Sequence, residues 1–411
     1  MQFKVGKKEQ YAARMAFFIP GFAISTWAPM IPMIKERLHI EADILGLLLL
    51  CIGISAFIVI PIGGLLGKKF GCKKVIKLFF CVILLAGVLR LVLGRNLEIA
   101  LVLGVVCMVT TGSLFAIVLV ALSCLPNVWS YAICLILVGA IMGCTEVCMN
   151  INAVVVEKLS QKRMMSSMHG FWSVGCFCSA GLFSILAKMG LDVFFIAIIH
   201  CLIILAIVIF FGRYFLDYKS ANSESAIAIP KGIVVLFGIL ACVSFLGEGA
   251  IMDWGGVFLA EVKDVELSLA GVGYAVFSVA MLIMRLIGDK VVQFLGEEKA
   301  VVLGSSLAGL GFLWIIIIDN FYLMLVGFVL LGLGAANIVP VLYSLLQYQK
   351  DMPINAAVTA VTCMGYTGVI LGPAILGFIA QGIGIISVFY LLMILFIMQV
   401  VMAKYAFNRL K

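Results

Sequence analysis

Charged side chains are scarce in this 411-residue sequence: 12% of it is Asp, Glu, Lys or Arg, while 64% is hydrophobic. A soluble domain carries about 25% charge and about 45–50% apolar residues, so a water-soluble globule is excluded. Short alternating hydrophobic segments are missing too. The apolar runs are continuous and of bilayer length, which sets aside an outer-membrane barrel. Nothing matches G-x-x-x-x-G-K-[ST], which argues against ATP-driven transport. Histidine occurs three times, and the thirteen cysteines fall almost entirely inside apolar runs, without metal-ligand or secreted-domain spacing. They read as small buried hydrophobes. No metal or other cofactor is expected, and no nucleophile–base constellation points to an enzyme.

What the chain does have is helix-length hydrocarbon. Apolar runs cover 12–34, 43–67, 75–94, 98–124, 131–155, 167–188, 191–212, 232–260, 268–289, 299–318, 321–345, 355–382 and 384–405. The net charge of +8 gathers between them, at Lys4/Lys7/Lys8, Lys68/Lys69/Lys73/Lys74, Lys158/Lys162/Arg163, Arg213/Lys219/Lys231, Lys290/Lys299, Lys350 and Lys404/Arg409/Lys411. Such short basic flanks mark cytoplasmic loops, not a nucleic-acid surface. Both chain ends then lie inside, and the number of crossings must be even. Three runs lie between Lys74 and Lys158, where two crossings are allowed. The pair 98–124 and 131–155 is read as crossing, and the apolar segment 75–97 as an extra element. The expectation is an all-α membrane protein with 12 transmembrane helices.

The stretch 217–230 (DYKSANSESAIAIP) lacks apolar periodicity and reads as a linker. It gives an N-terminal six-helix bundle at 1–213, a cytoplasmic linker at 214–231 and a C-terminal six-helix bundle at 232–411. The halves echo one another weakly. Residues 64–74 (GLLGKKFGCKK) follow the second span as 288–299 (GDKVVQFLGEEK) follow its counterpart, and Gly143-x-x-Glu146 corresponds to Gly334-x-x-Asn337. Repeats with a solute site at their interface are a habit of secondary transporters.

Of twenty acids, only Glu146, Glu248 and Asp253 fall well inside these spans. A carboxylate at that depth costs roughly 2.5–3.5 kcal/mol, so each is either functional or tied to a partner. Glu146 and Asn150 are four apart and share a helical face. They are candidates for solute binding, with Glu146 also loading and releasing a proton; the alternative is a structural acid joining two helices. Glu248 and Asp253 are five apart, about 140° round a helix, so they face different neighbours. Both are candidate proton-coupling groups, although Asp253 beside Trp254 also suits an interfacial anchor. His169, Trp172 and Ser173 fall on one face. His169 is a candidate proton relay or a helix-end histidine bonded to a carbonyl; Trp172 stacks on a solute ring or fills volume. Trp27 stands between Pro20 and Pro29/Pro32, which are expected to break or bend the first helix near a solute. Asn337, Tyr343 near Pro340, and Tyr366 offer neutral hydrogen bonds. Arg285 and Asp289, four apart at the end of a span, are read as a gate or a structural ion pair.

Five segments carry a family resemblance: 146–173 (EVCMNINAVVVEKLSQKRMMSSMHGFWS), 18–32 (FIPGFAISTWAPMIP), 247–254 (GEGAIMDW), 332–340 (GLGAANIVP) and 365–373 (GYTGVILGP). Together they resemble the major facilitator superfamily, YbjJ-type, related to the fucose permease branch. That resemblance implies the major facilitator fold, two pseudo-symmetric six-helix bundles working by alternating access, and proton-coupled movement of a small polar solute. It implies for Glu146 a part in proton coupling and sugar binding. Departures are visible: 23–28 (AISTWA) lacks the branch's first-helix acid, Trp172 replaces a polar residue, and Lys68 replaces an acid in the loop after the second span.

The reading is therefore a multi-pass, cell inner membrane secondary transporter, expected as a monomer. It would take up a small hydrophilic solute, a sugar or sugar derivative favoured, by proton-coupled symport, with solute, protons and lipid as its partners. Two rivals stay open: a proton-driven exporter of amphipathic compounds, whose cavity the methionines would line adaptably, and a transporter-like sensor without flux.

Overall fold

In hydrocarbon a backbone has no water to bond, so each apolar run must satisfy its own amides as a helix. The computed structural model, which describes residues 5–27, 42–77, 128–218, 229–266 and 269–410, shows this throughout: no strand occurs among the described residues. Eight helices there are long and apolar enough to cross a membrane. The expected crossing 98–124 and the extra segment 75–97 lie outside the described residues, apart from helical backbone at 75–77.

The chain divides into two compact units, Met1–Ser160 with Phe171–Ile227, and Gln161–Gly170 with Ala228–Lys411. In the first unit, α1 is Lys7–Trp27, α2 Ala42–Phe70, α3 Val128–Ser160, α4 Met165–Lys188 and α5 Val193–Phe211; α4 starts in the stretch grouped with the second unit. Pro20 does not break α1, which continues past it to Trp27. The reason is local: seven residues follow Pro20 within the helix, and one lost amide bond is tolerated in an apolar span. Pro29 and Pro32 lie outside the described residues.

The axis of the first unit is α3, in which every residue from Gly143 to Glu157 is buried. Helices covered on all faces read as uniformly apolar, and this one meets α2 at van der Waals distance because glycines face it. A Cβ on Gly139 would fall on the Ile52 carbonyl, and one on Gly143 on the Ala56 carbonyl. Small residues of this kind replace the hydrophobic effect as the cause of close packing in lipid. His200 of α5, buried, lies with Nδ1 2.8 Å from the Ile196 carbonyl and Nε2 3.2 Å from the Ser179 carbonyl of α4. Phe215 and Leu216, at the start of the expected linker, are buried, and Asn152 donates to the Leu216 carbonyl at 3.1 Å.

The second unit holds α6 (Ile233–Val262), α7 (Val272–Leu295), α8 (Glu297–Ile317), α9 (Phe321–Ala335), α10 (Ile338–Leu345), α11 (Ile354–Ile383) and α12 (Ile385–Leu410). A polar knot fixes α6, α8 and α12 in register. Gln399 Nε2 donates to the Leu240 carbonyl at 2.7 Å and to Ser244 Oγ at 2.9 Å, while Ser305 Oγ donates to Gln399 Oε1 at 3.3 Å. All three side chains are buried.

The run 321–345 is apolar throughout, yet the helix is interrupted at Ala336–Asn337 between α9 and α10. Pro340 explains the break. Proline has no N–H to give the carbonyl four residues back, and its ring clashes with that carbonyl, here that of Ala336.

Candidate solute and proton site

In the first unit the candidate group is Glu146. It is 8% exposed and lies within the fully covered part of α3. Asn150 Nδ2 donates to Glu146 Oε1 at 2.9 Å and to the Glu146 carbonyl at 2.9 Å, the i, i+4 contact that the spacing predicts. Among the described residues no cation stands within ion-pair distance of Glu146. Asn150 Oδ1 is buried without a hydrogen-bond partner among the described residues, an acceptor that a hydroxyl would satisfy. The described partner of this carboxyl is thus a neutral amide, not a base. Trp172 is half-buried, with its carbonyl against Gly21 of α1. Trp27 ends α1, and its side chain lies outside the described residues. Glu157, also buried, is an acid that reading of apolar runs passes over because Lys158 follows it.

In the second unit the structure overturns one pairing. Arg285 does not pair with Asp289. Its Nη2 donates to Glu248 Oε1 at 3.0 Å and Oε2 at 3.2 Å, and its Nε donates to the Ala336 carbonyl at 3.2 Å. The physical reason is the helix break: Pro340 releases the Ala336 carbonyl, and the guanidinium takes it. Asp289 instead accepts from the Ser167 amide, 3.3 Å from each carboxylate oxygen. A helix N-terminus with unsatisfied N–H groups is where a carboxylate is held favourably. Arg163 and Glu297, 2.6 Å apart, hold the same stretch a turn earlier.

Around this pair the candidate residues sort themselves. His169, buried, lays its ring on Tyr343 with centroids 5.8 Å apart. Tyr343 is fully buried, and its hydroxyl shares a 2.7 Å hydrogen bond with Thr362 Oγ1, a residue sequence reasoning missed. Asn337 sits in the break, with Oδ1 buried and lacking a partner among the described residues. Tyr366 meets Phe245 edge-on at 6.2 Å, and the neighbouring Thr367 hydroxyl is turned to the Met364 carbonyl of its own helix. Asp253 is set apart: it is exposed, and no hydrogen bond or ion pair joins it to a described residue. Beside it Trp254 lines a recess of about 710 Å³ with Glu261 and Gln381.

Broken helices, inward-turned acids and two helical units are features of a membrane carrier. The sequence matches the Major Facilitator Superfamily over residues 106–349. An uncharacterized MFS-type transporter of Yersinia pestis is 38% identical over 378 residues, covering 92% of this chain and 90% of that protein. The chain belongs to the major facilitator superfamily. Among solved structures, the fucose:proton symporter of E. coli aligns with a TM-score of 0.71 at 14% identity, covering 97% of this chain and 98% of that one. The human organic anion transporter MFSD10 aligns at 0.70 and 12%, covering 97% and 99%. These two share the fold with this chain and differ from each other in cargo.

Proposed function

We propose that this transporter carries out proton-coupled uptake of a small hydrophilic solute, a sugar or sugar derivative, across an inner membrane, with both termini cytoplasmic. It would work as a monomer by alternating access, as a YbjJ-type member related to the fucose branch. The observation that carries the proposal is Glu146: a buried carboxyl whose hydrogen-bond partner is the neutral Asn150 amide and which has no cation in ion-pair range among the described residues. A group so placed exchanges charge by taking up or losing a proton. With Asn150 Oδ1 it also presents polar atoms for a solute hydroxyl. The fucose:proton symporter, a fold relative, supports the class of cargo. Alternation follows if each combination of proton and solute binds one opening better than the other.

The test is accumulation of hexoses, L-fucose and acidic sugar derivatives in proteoliposomes under an imposed pH gradient. Wild type is expected to concentrate at least one of them. Glu146→Gln is expected to lose gradient-driven accumulation while still exchanging the sugar across the membrane without a gradient. Unchanged coupling in Glu146→Gln would remove Glu146 from the proton path.

A further inference from the structure

Resting on that reading, we propose that the solute carries a carboxylate, as a sugar acid does, and that Arg285 receives it in exchange for Glu248. Arg285 is the basic side chain placed farthest from either end of any described helix, well inside α7. An isolated cation there is costly, so its partners define its purpose. The guanidinium is fixed at one corner, where Nε donates to the Ala336 carbonyl that Pro340 leaves open.

The hold of Glu248 is incomplete. Guanidinium and carboxylate bind best fork to fork, through two parallel N–H···O bonds from two nitrogens. Here both oxygens of Glu248 converge on the single nitrogen Nη2, at 3.0 and 3.2 Å. Nη1 donates to no described residue, so both its N–H bonds are without an acceptor among them. The pair is not sealed either: Arg285 keeps 9% and Glu248 18% of side-chain surface exposed. An entering carboxylate would find the Nη1–Nη2 edge open and bind it in the fork geometry that Glu248 does not reach. Glu248 thus acts as an internal stand-in, neutralising Arg285 while the site is empty. Asn337 Oδ1, a buried acceptor next to Ala336 in the same break, suits a hydroxyl of the same solute.

The test uses purified full-length protein and thermal shift titrations with D-glucuronate, D-galacturonate, D-gluconate and L-lactate, against D-glucose and D-galactose. At least one acid is expected to raise the midpoint of wild type where the neutral hexoses do not. Arg285→Lys keeps the charge but loses the fork, and is expected to weaken that acid about tenfold. Glu248→Gln removes the competitor and is expected to tighten it several-fold. Arg285→Gln with Glu248→Gln leaves no unpaired charge to unfold the protein, and should abolish the shift. The proposal is overturned if no acid stabilises wild type, if neutral hexoses do so equally, or if the double variant keeps the response. Proton-coupled accumulation of a neutral hexose, equal in wild type and Arg285→Lys, would sink the carboxylate and leave the transport reading standing. Acids that bind through Arg285 but never accumulate under a gradient would do the reverse.

Discussion

Asn150 and Glu146 show how much a single pair decides. Their contact is buried, and a buried polar atom left without its partner costs about 1–3 kcal/mol, whereas replacing both partners by apolar groups of similar shape is nearly neutral. Asn150→Leu alone is therefore expected to lower stability by about 1–3 kcal/mol, and Glu146→Met with Asn150→Leu to recover most of it. Chemical denaturation in detergent measures both; a double variant as unstable as the single one would mean that α3 needs the pair for its packing. This contact was legible in the sequence, because four residues on a helix fix the geometry whatever surrounds it. Arg285 was not. The same spacing rule offered Asp289 as its partner, but two groups on other elements competed and won: Glu248, 37 residues away in sequence, reaches it from the middle of α6, and the Ala336 carbonyl from just beyond α9. Tertiary partners of that kind leave no mark in local spacing. Asp253 was readable only as a choice between two roles, and its exposure is compatible with the anchor beside Trp254.

At the scale of helices, span limits were largely readable, since the hydrocarbon imposes a length and the runs show it. The run 321–345 coincides with the outer limits of α9 and α10. Its interruption was signalled by Pro340, while Pro20 gave the same signal in α1 without a break. The difference lies in what receives the freed carbonyl: for Pro340, a guanidinium waits at Ala336. Pro340→Ala would restore an amide that competes with Arg285 for that oxygen. The expected outcome is a higher thermal midpoint, as α9 and α10 approach one helix, with transport reduced several-fold. Scanning fluorimetry and solute counterflow together check it, and a variant that gains stability with no loss of flux would detach the break from function. The closeness of α2 and α3 was less readable. Glycines are abundant throughout, and composition does not say that Gly139 and Gly143 in particular meet carbonyls.

For the molecule as a whole, the sequence suggests two halves joined by a polar linker; the structure divides into two compact units with other bounds. The stretch Gln161–Gly170 belongs with the second unit, although it precedes the linker by about fifty residues. Arg163–Glu297 and the Asp289 carboxylate on the Ser167 amide add an electrostatic hold to the His169–Tyr343 ring contact. Half-exposed pairs contribute at most about 1 kcal/mol each. Asp289→Asn with Glu297→Gln should thus let the stretch open locally, and trypsin should cut after Lys162 roughly three- to tenfold faster without a change in global unfolding. Equal cutting of wild type and variant would show that packing, not charge, secures it.

The Gln399 amide has a consequence for how such a chain is made. It sits on α12 and closes a knot with the Leu240 carbonyl and Ser244 of α6 and with Ser305 of α8, two helices made before it. Inserting that helix one residue out of register would swing the amide about 100° away and leave dry polar atoms in its place. Correct and incorrect insertion of α12 are thereby separated by an energy gap, set by the α6 and α8 groups already made. The amide would serve as a register mark between α12 and the two earlier helices it joins.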